Sequence, residues 1–329
     1  MPIDQKPTAH TGGLFASKWG VIRGMELLIM GKEIKTALHH WWPRGLSQFW
    51  EDSGGGVTAV NPDGTERRSS PDQFGAITNA HAVKLDGPWS FSFETAFDKI
   101  DNRIPSLIRE LLAFEAPAEE CNQQRTNFKS HDAPDDFLEV IGALMASLIT
   151  RCPRNRSSIA KTTEYYQSRF GFTDPKADKN LINLNLRSSI EYIGKHFKNG
   201  KIILAFSDDK EFIFGDGFYT NMTTESCIGH KKTVIPVTPV MALFFSKPTQ
   251  YFTYPKLFTC KLDRYYVELI NDLTKVYSGK NIFYRSQKPE IGDEFSQGKF
   301  LQYEYHKVPW LERFLADMHA IRGDVPLSG

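Results

Sequence analysis

Four short apolar runs decide the fold class: KIILAF at 201–206, EFIF at 211–214, TVIPVTP at 233–239 and MALFF at 241–245. Each has the length of a strand, and β-branched and aromatic residues dominate them. Before residue 200 the apolar spacing changes. Phe93, Phe97, Ile100, Ile104, Leu107 and Leu111 recur with a helical period, as do Phe137, Val140, Ile141, Leu144, Leu148 and Ile149. The first stripe predicts a helix over 90–112, capped by Ser90 or Ser92. The second predicts a helix over 135–151 that Pro153 stops, because proline has no N–H to donate. Two further helices are expected over 157–170 and 180–198, with a polar loop over 117–134. Leu262, Tyr266, Leu269, Leu273 and Val276 mark another helix, which Gly279 closes. A strand over 281–285 and a helix after Pro309 complete the chain. Segregated strands and helices predict α+β rather than a doubly wound α/β sheet.

Toward the N-terminus, SGGG at 53–56 and NPDG at 61–64 bracket VTAV, a strand between tight turns. The expected architecture is a small β-rich N-terminal unit, central helices, then a mainly antiparallel sheet with C-terminal helices. Residues 1–36 read as an appendage and 37–329 as one domain, with a sub-boundary near 200. Forty Lys and Arg against 39 Asp and Glu leave a net charge of +1, which excludes a generic polycation coating nucleic acid. Cys121, Cys152, Cys227 and Cys260 have no metal-ligand spacing and read as reduced core thiols. The N-terminus has no signal-peptide pattern, and the longest apolar stretches, 140–149 and 234–245, are too short or too broken by proline to span a bilayer. The expectation is a cytoplasmic protein with no membrane partner.

Four clusters carry residue types suited to chemistry. HHWWP at 39–43 sets His39 and His40 beside two indoles. Histidine exchanges protons near neutral pH and binds metals, and neighbours on a strand face opposite ways, so one imidazole can serve a site. A turn with aromatic packing explains the same residues. Glu94, Asp98 and Asp101 share one helical face; such a row holds a divalent cation, supplies a base, or is simply solvated. Arg151, Arg154 and Arg156 can grip a phosphate, or satisfy helix carbonyls and acidic neighbours. Asp216, between two glycines at a strand end, faces a cleft or caps a turn. HKK at 230–232 reads as a solvated loop.

These blocks, in this order, resemble the bacterial domain-of-unknown-function 4238 family. HHWWPRGLSQFW at 39–50 is similar to its opening element, FETAFDKID at 93–101 to its acidic helix, and LMASLITRCPRNR at 144–156 to its arginine-bearing helix end. FIFGDGF at 212–218, IPVTPVMAL at 235–243 and ELIND at 268–272 follow, so the resemblance covers residues 37–286. Gly215 and Gly217 stand where serine and asparagine are usual. The family name supplies no activity. The resemblance implies site roles for His39, His40, Glu94, Asp101, Arg151, Arg156, Asp216 and Asn271.

The chemistry these residues suggest is phosphodiester cleavage of RNA or DNA in a defence or toxin-like role. Histidine would serve as acid and base, the carboxylates would orient it or hold a divalent cation such as magnesium, and Arg151, Arg156 and Asn271 would bind substrate. The alternative is a non-catalytic sensor or adaptor that grips a ligand or protein partner with the same groups. For the enzyme reading, His39 or His40 should lie in a cleft near the 94–101 carboxylates or Arg151, walled by Trp41 and Trp42. Asp101→Ala should then abolish activity and leave the melting temperature nearly unchanged.

Overall fold

The computed structural model describes residues 38–78, 80–84, 90–171, 175–197, 200–222, 230–247, 256–301 and 308–321. The N-terminal part holds β1 (Leu38–His40), α1 (Arg44–Ser47), β2 (Val57–Val60), β3 (Glu66–Ser69), β4 (Ala76–Thr78), β5 (Ala82–Lys84) and β6 (Ser90–Ser92). Then come α2 (Thr95–Leu112), β7 (Lys129–His131), α3 (Asp135–Arg151), α4 (Pro153–Phe170) and α5 (Pro175–His196). The strand-rich part contains β8 (Lys201–Phe206), β9 (Phe214–Gly215), β10 (Tyr219–Thr220), β11 (Lys231–Thr238), β12 (Met241–Lys247) and β13 (Leu257–Lys261). Helix α6 (Arg264–Tyr277), β14 (Ile282–Tyr284), α7 (Asp293–Ser296) and α8 (Pro309–Ala320) follow. The expected α+β class is what the structure shows.

The central sheet has six strands in the order β10-β11-β12-β8-β13-β7. Its pairs are antiparallel except β8 with β13. Strands β8, β11 and β12 are buried almost throughout, which is why their sequences are near-continuous apolar runs rather than alternating ones. Pro236 sits in β11 where the register with β12 shifts, a place that tolerates a missing donor. A second sheet, β3-β2-β14-β9, joins the N-terminal strands to the C-terminal β14, with Val60 opposite Ile282. The small β-rich unit is therefore closed by residues more than two hundred positions away.

Helix α2 buries Phe97, Ile100, Ile104, Leu107, Ile108 and Leu111. It has no side-chain N-cap and carries Pro105 inside. Together these cost about 4 kcal/mol, against roughly 1.5–3 kcal/mol gained for each large side chain buried. The stripe wins. Helix α3 is buried on all sides over its second half and forms the centre of the helical layer.

Several local expectations change. Residues 90–92 pair with β5 instead of starting the helix, so α2 begins at Thr95, and Ser92 Oγ accepts the Glu94 N–H. The run at 211–214 is a strand only from Phe214, because Asn271 takes the Ile213 N–H and the Glu211 carbonyl that a neighbouring strand would use. The 117–134 loop contains β7, added to the sheet edge by β13. Lys231 and Lys232 are buried on β11, not solvated, and Lys232 is paired with Glu312. Cys121, Cys152 and Cys260 are buried free thiols, and burial pushes the Cys152 thiol up to about 11. The expected appendage, 1–36, and Cys227 lie outside the described residues. No described helix is long and apolar enough to cross a membrane.

Candidate functional site

Strand β1 pairs with β4, His39 opposite Ile77 and His40 opposite Ala76. The strand alternation sends the two imidazoles apart: His39 is buried and His40 half-buried. Just beyond, Trp41 and Trp42 pack into the core against Phe214 and Phe283. Both indoles are buried, so they neither wall a cleft nor offer a face to a base.

His39 meets a residue that the sequence reading passed over. The backbone N–H of His81 donates to His39 Nδ1 at 2.8 Å, and the two rings stack with centroids 5.0 Å apart and planes 11° from parallel. An accepting Nδ1 is unprotonated, so a neutral His39 carries its proton on Nε2. His81 is itself buried, flanked by the Phe93 and Phe97 rings, and its Nδ1 is hydrogen-bonded to Glu94 Oε2. Burial pushes the Glu94 carboxyl up. The His81 hydrogen bond and the charges of His81, His39 and Arg151 outweigh it and hold the carboxyl below the usual range.

Two turns along α2, Asp101 receives Arg151 bidentately at 2.9 and 2.7 Å. Arg151 closes α3 and is fully buried; it also donates to Ser147 Oγ at 2.7 Å and to the His40 carbonyl at 3.4 Å, and lies 4.4 Å over the Phe97 ring. Its Nε is buried with no hydrogen-bond partner among the described residues. Arg156, on α4, donates from Nη1 to the Ala80 carbonyl and to Asn183 Oδ1, both at 3.0 Å. It thus holds the turn that carries His81, and burial lowers its pKa. Asp98 is exposed on the far face of α2.

Asp216 and Asn271 stand apart from this cluster. The Asp216 carboxylate does not face a cleft. It is fully buried and accepts the N–H groups of Gly279, Lys280 and Asn281 at 2.8, 3.0 and 3.2 Å. Burial pushes its pKa up to about 6, against the pull of those three donors. A Cβ on the adjacent Gly217 would come within 2.0 Å of the Tyr277 carbonyl, so glycine is required there. Arg154 belongs to this second network, donating to the Phe218 and Leu301 carbonyls and lying over the Tyr277 ring. Asn271 is occupied by the 211–213 backbone.

His81 and Asn183 are the site residues missed by sequence reasoning. A lone histidine in NAHAV has no local signal, because its partners come from β1 and α2. Two grooves, of about 310 and 270 Å³, lie around Asp135 and Lys256 and include none of the clustered residues. Their ionisable lining includes Lys256, half-buried and paired with the exposed Asp135, and His131, whose Nε2 is hydrogen-bonded to Thr259, so the more fully connected histidine cluster is the better candidate site. Compared with protein-family models, curated proteins and solved structures, the chain finds no match.

Proposed function

We propose that the protein is a phosphodiester hydrolase acting on RNA or DNA in the cytoplasm, as a divergent member of the family its motifs resemble. The reading rests on one observation: His39, His81, Glu94, Asp101, Arg151 and Arg156 are gathered from five separate segments into one connected network. Random packing does not bring two imidazoles, two carboxylates and two guanidinium groups together, because each must be desolvated. In this scheme the His81–Glu94 pair at the centre activates the attacking water. The half-buried Arg156 provides positive charge for the phosphoryl group, while the buried Arg151 holds Asp101 and the His40 carbonyl in place beside the histidines.

A second reading is favoured by the burial of His39 and His81 and by the carbonyls that both arginines already hold. It is a sensor or adaptor in which the network fixes a surface for a ligand or protein partner. Purified protein assayed on single- and double-stranded RNA and DNA separates the two. Cleavage should fall about a hundredfold or more in His81→Ala, the usual scale for losing a general acid or base, and little in His40→Ala. Absence of cleavage across substrates and cations would transfer the assignment to the binding module.

A further inference from the structure

We propose that His39, His81 and Glu94 together bind one divalent transition-metal ion of the zinc type. One donor atom from each of the three residues lies within 4.8 Å of the other two. A tetrahedral zinc ion holds its donors about 3.3 Å apart, so closing the site takes a contraction and a rotation of the stacked His39 and His81 rings that turns their in-plane lone pairs toward one point. The hydrogen bonds already present show what the ion would replace. His39 Nδ1 accepts from the His81 N–H at 2.8 Å, so that nitrogen is unprotonated, and ligation through it displaces the His81 N–H from its single lone pair. His81 Nδ1 and Glu94 Oε2 share a hydrogen bond, and a divalent cation bound between them would displace the shared proton.

The donor set selects the metal. Two imidazole nitrogens and one carboxylate oxygen suit zinc and cobalt, whereas magnesium and calcium favour all-oxygen shells. The magnesium ion suggested by the acidic row of α2 fits less well, since Asp98 is exposed and Asp101 is bound to Arg151. The surroundings already fix the ligands: Phe93 and Phe97 flank the His81 ring, and Arg156 ties the preceding carbonyl at Ala80. Three protein ligands leave a fourth position for water, whose pKa falls to about 7 on zinc. That last consequence rests on the hydrolase reading, with the metal-bound water then taking the proton-transfer task. Metal binding does not rest on it.

The test uses the full chain, stripped with a chelator, equilibrated with zinc and analysed for metal content. About one equivalent should be retained, with affinity weakened about tenfold or more in His39→Ala, His81→Ala and Glu94→Gln. Glu94→Gln keeps the shape of the side chain, so it decides the matter if the histidine variants fail to fold by circular dichroism. Cobalt in place of zinc should give the visible absorption of a four- or five-coordinate nitrogen and oxygen site, lost in Glu94→Gln. No stoichiometric zinc in the folded wild type, or full retention in Glu94→Gln, would overturn the proposal. Zinc bound without nucleic-acid cleavage would leave the metal site standing and end the hydrolase reading. Cleavage by a folded wild type that retains no zinc would do the reverse.

Discussion

Asp101 illustrates how a side chain's role is set by what it neutralises. Its partner Arg151 is completely buried, and Asp101 is the one carboxylate bonded to it among the described residues. Removing that carboxylate leaves an uncompensated buried guanidinium, a loss of about 3–5 kcal/mol. Asp101→Ala should therefore lower the melting temperature by several degrees, contrary to the near-neutral effect expected from the sequence, and calorimetry measures it. Glu94 carries a pH signature. Its folded pKa lies below the ordinary 4.5, so the folded state holds fewer protons than the unfolded chain as the pH falls through this range. The stability it contributes is fully present above pH 4.5 and is lost as pH drops through the lowered folded value. Melting curves from pH 7 to pH 3 should show that loss, and Glu94→Gln should remove its share. Asp216 works with the opposite sign. Its folded pKa of about 6 exceeds the ordinary 3.8, so burying its charge costs stability above pH 6, and the cost is relieved as pH falls toward 3.8.

At the scale of elements, the position of β1 depends on one glycine. Gly75 has a φ of 74°, and a Cβ there would meet Trp42 Cβ at 2.5 Å. Its carbonyl accepts the Trp41 N–H at 2.6 Å, so it sets the end of the β1–β4 pair that carries His39. Gly75→Ala combines backbone strain with a steric clash and should cost about 1–3 kcal/mol. Because the shift occurs at the root of β1, it should also move the His39 ring. The imidazole resonances of His39 and His81 should change together in an NMR spectrum, while those of His319, on α8, stay in place. A change confined to stability would mean that β1 is held by its other contacts.

For the whole molecule, the two sheets interlock the chain's halves. Strand β7, before residue 200, extends the sheet made by β8, β10, β11, β12 and β13, and β14 joins β9 to the sheet begun by β2 and β3. The expected sub-boundary near 200 marks a change of element type; the main core crosses it, and only a small cluster around Phe93, Phe97 and Leu186 lies wholly before it among the described residues. One hydrophobic cluster runs from Trp42 through Ile104 and Ile149 to Phe244 and Met318. Residues 1–199 and 200–329 expressed separately should each fail to give a cooperative melting transition. Co-expressed fragments that rejoin would be consistent with the interlock; two independently folding halves would contradict it.

The apolar periods were legible in the sequence by themselves. The helical periods placed α3 with its ends and α2 with its C-terminal end, and the short apolar runs placed β8, β11, β12 and β14 and with them the α+β class, because both patterns depend only on near neighbours and the burial they anticipate. The sequence also singled out His39, Glu94, Asp101, Arg151 and Arg156 as unusual polar residues beside apolar stripes. Tertiary structure alone decided their company. His39 meets His81 across 42 positions, and Arg151 meets Asp101 across 50. Such contacts leave no local pattern, since they are fixed by the packing of α2, α3 and α4 around a shared core. For the same reason, Asp216 and Asn271 looked like site residues until their backbone partners, 63 to 65 and 58 to 60 positions away, showed that each serves the fold.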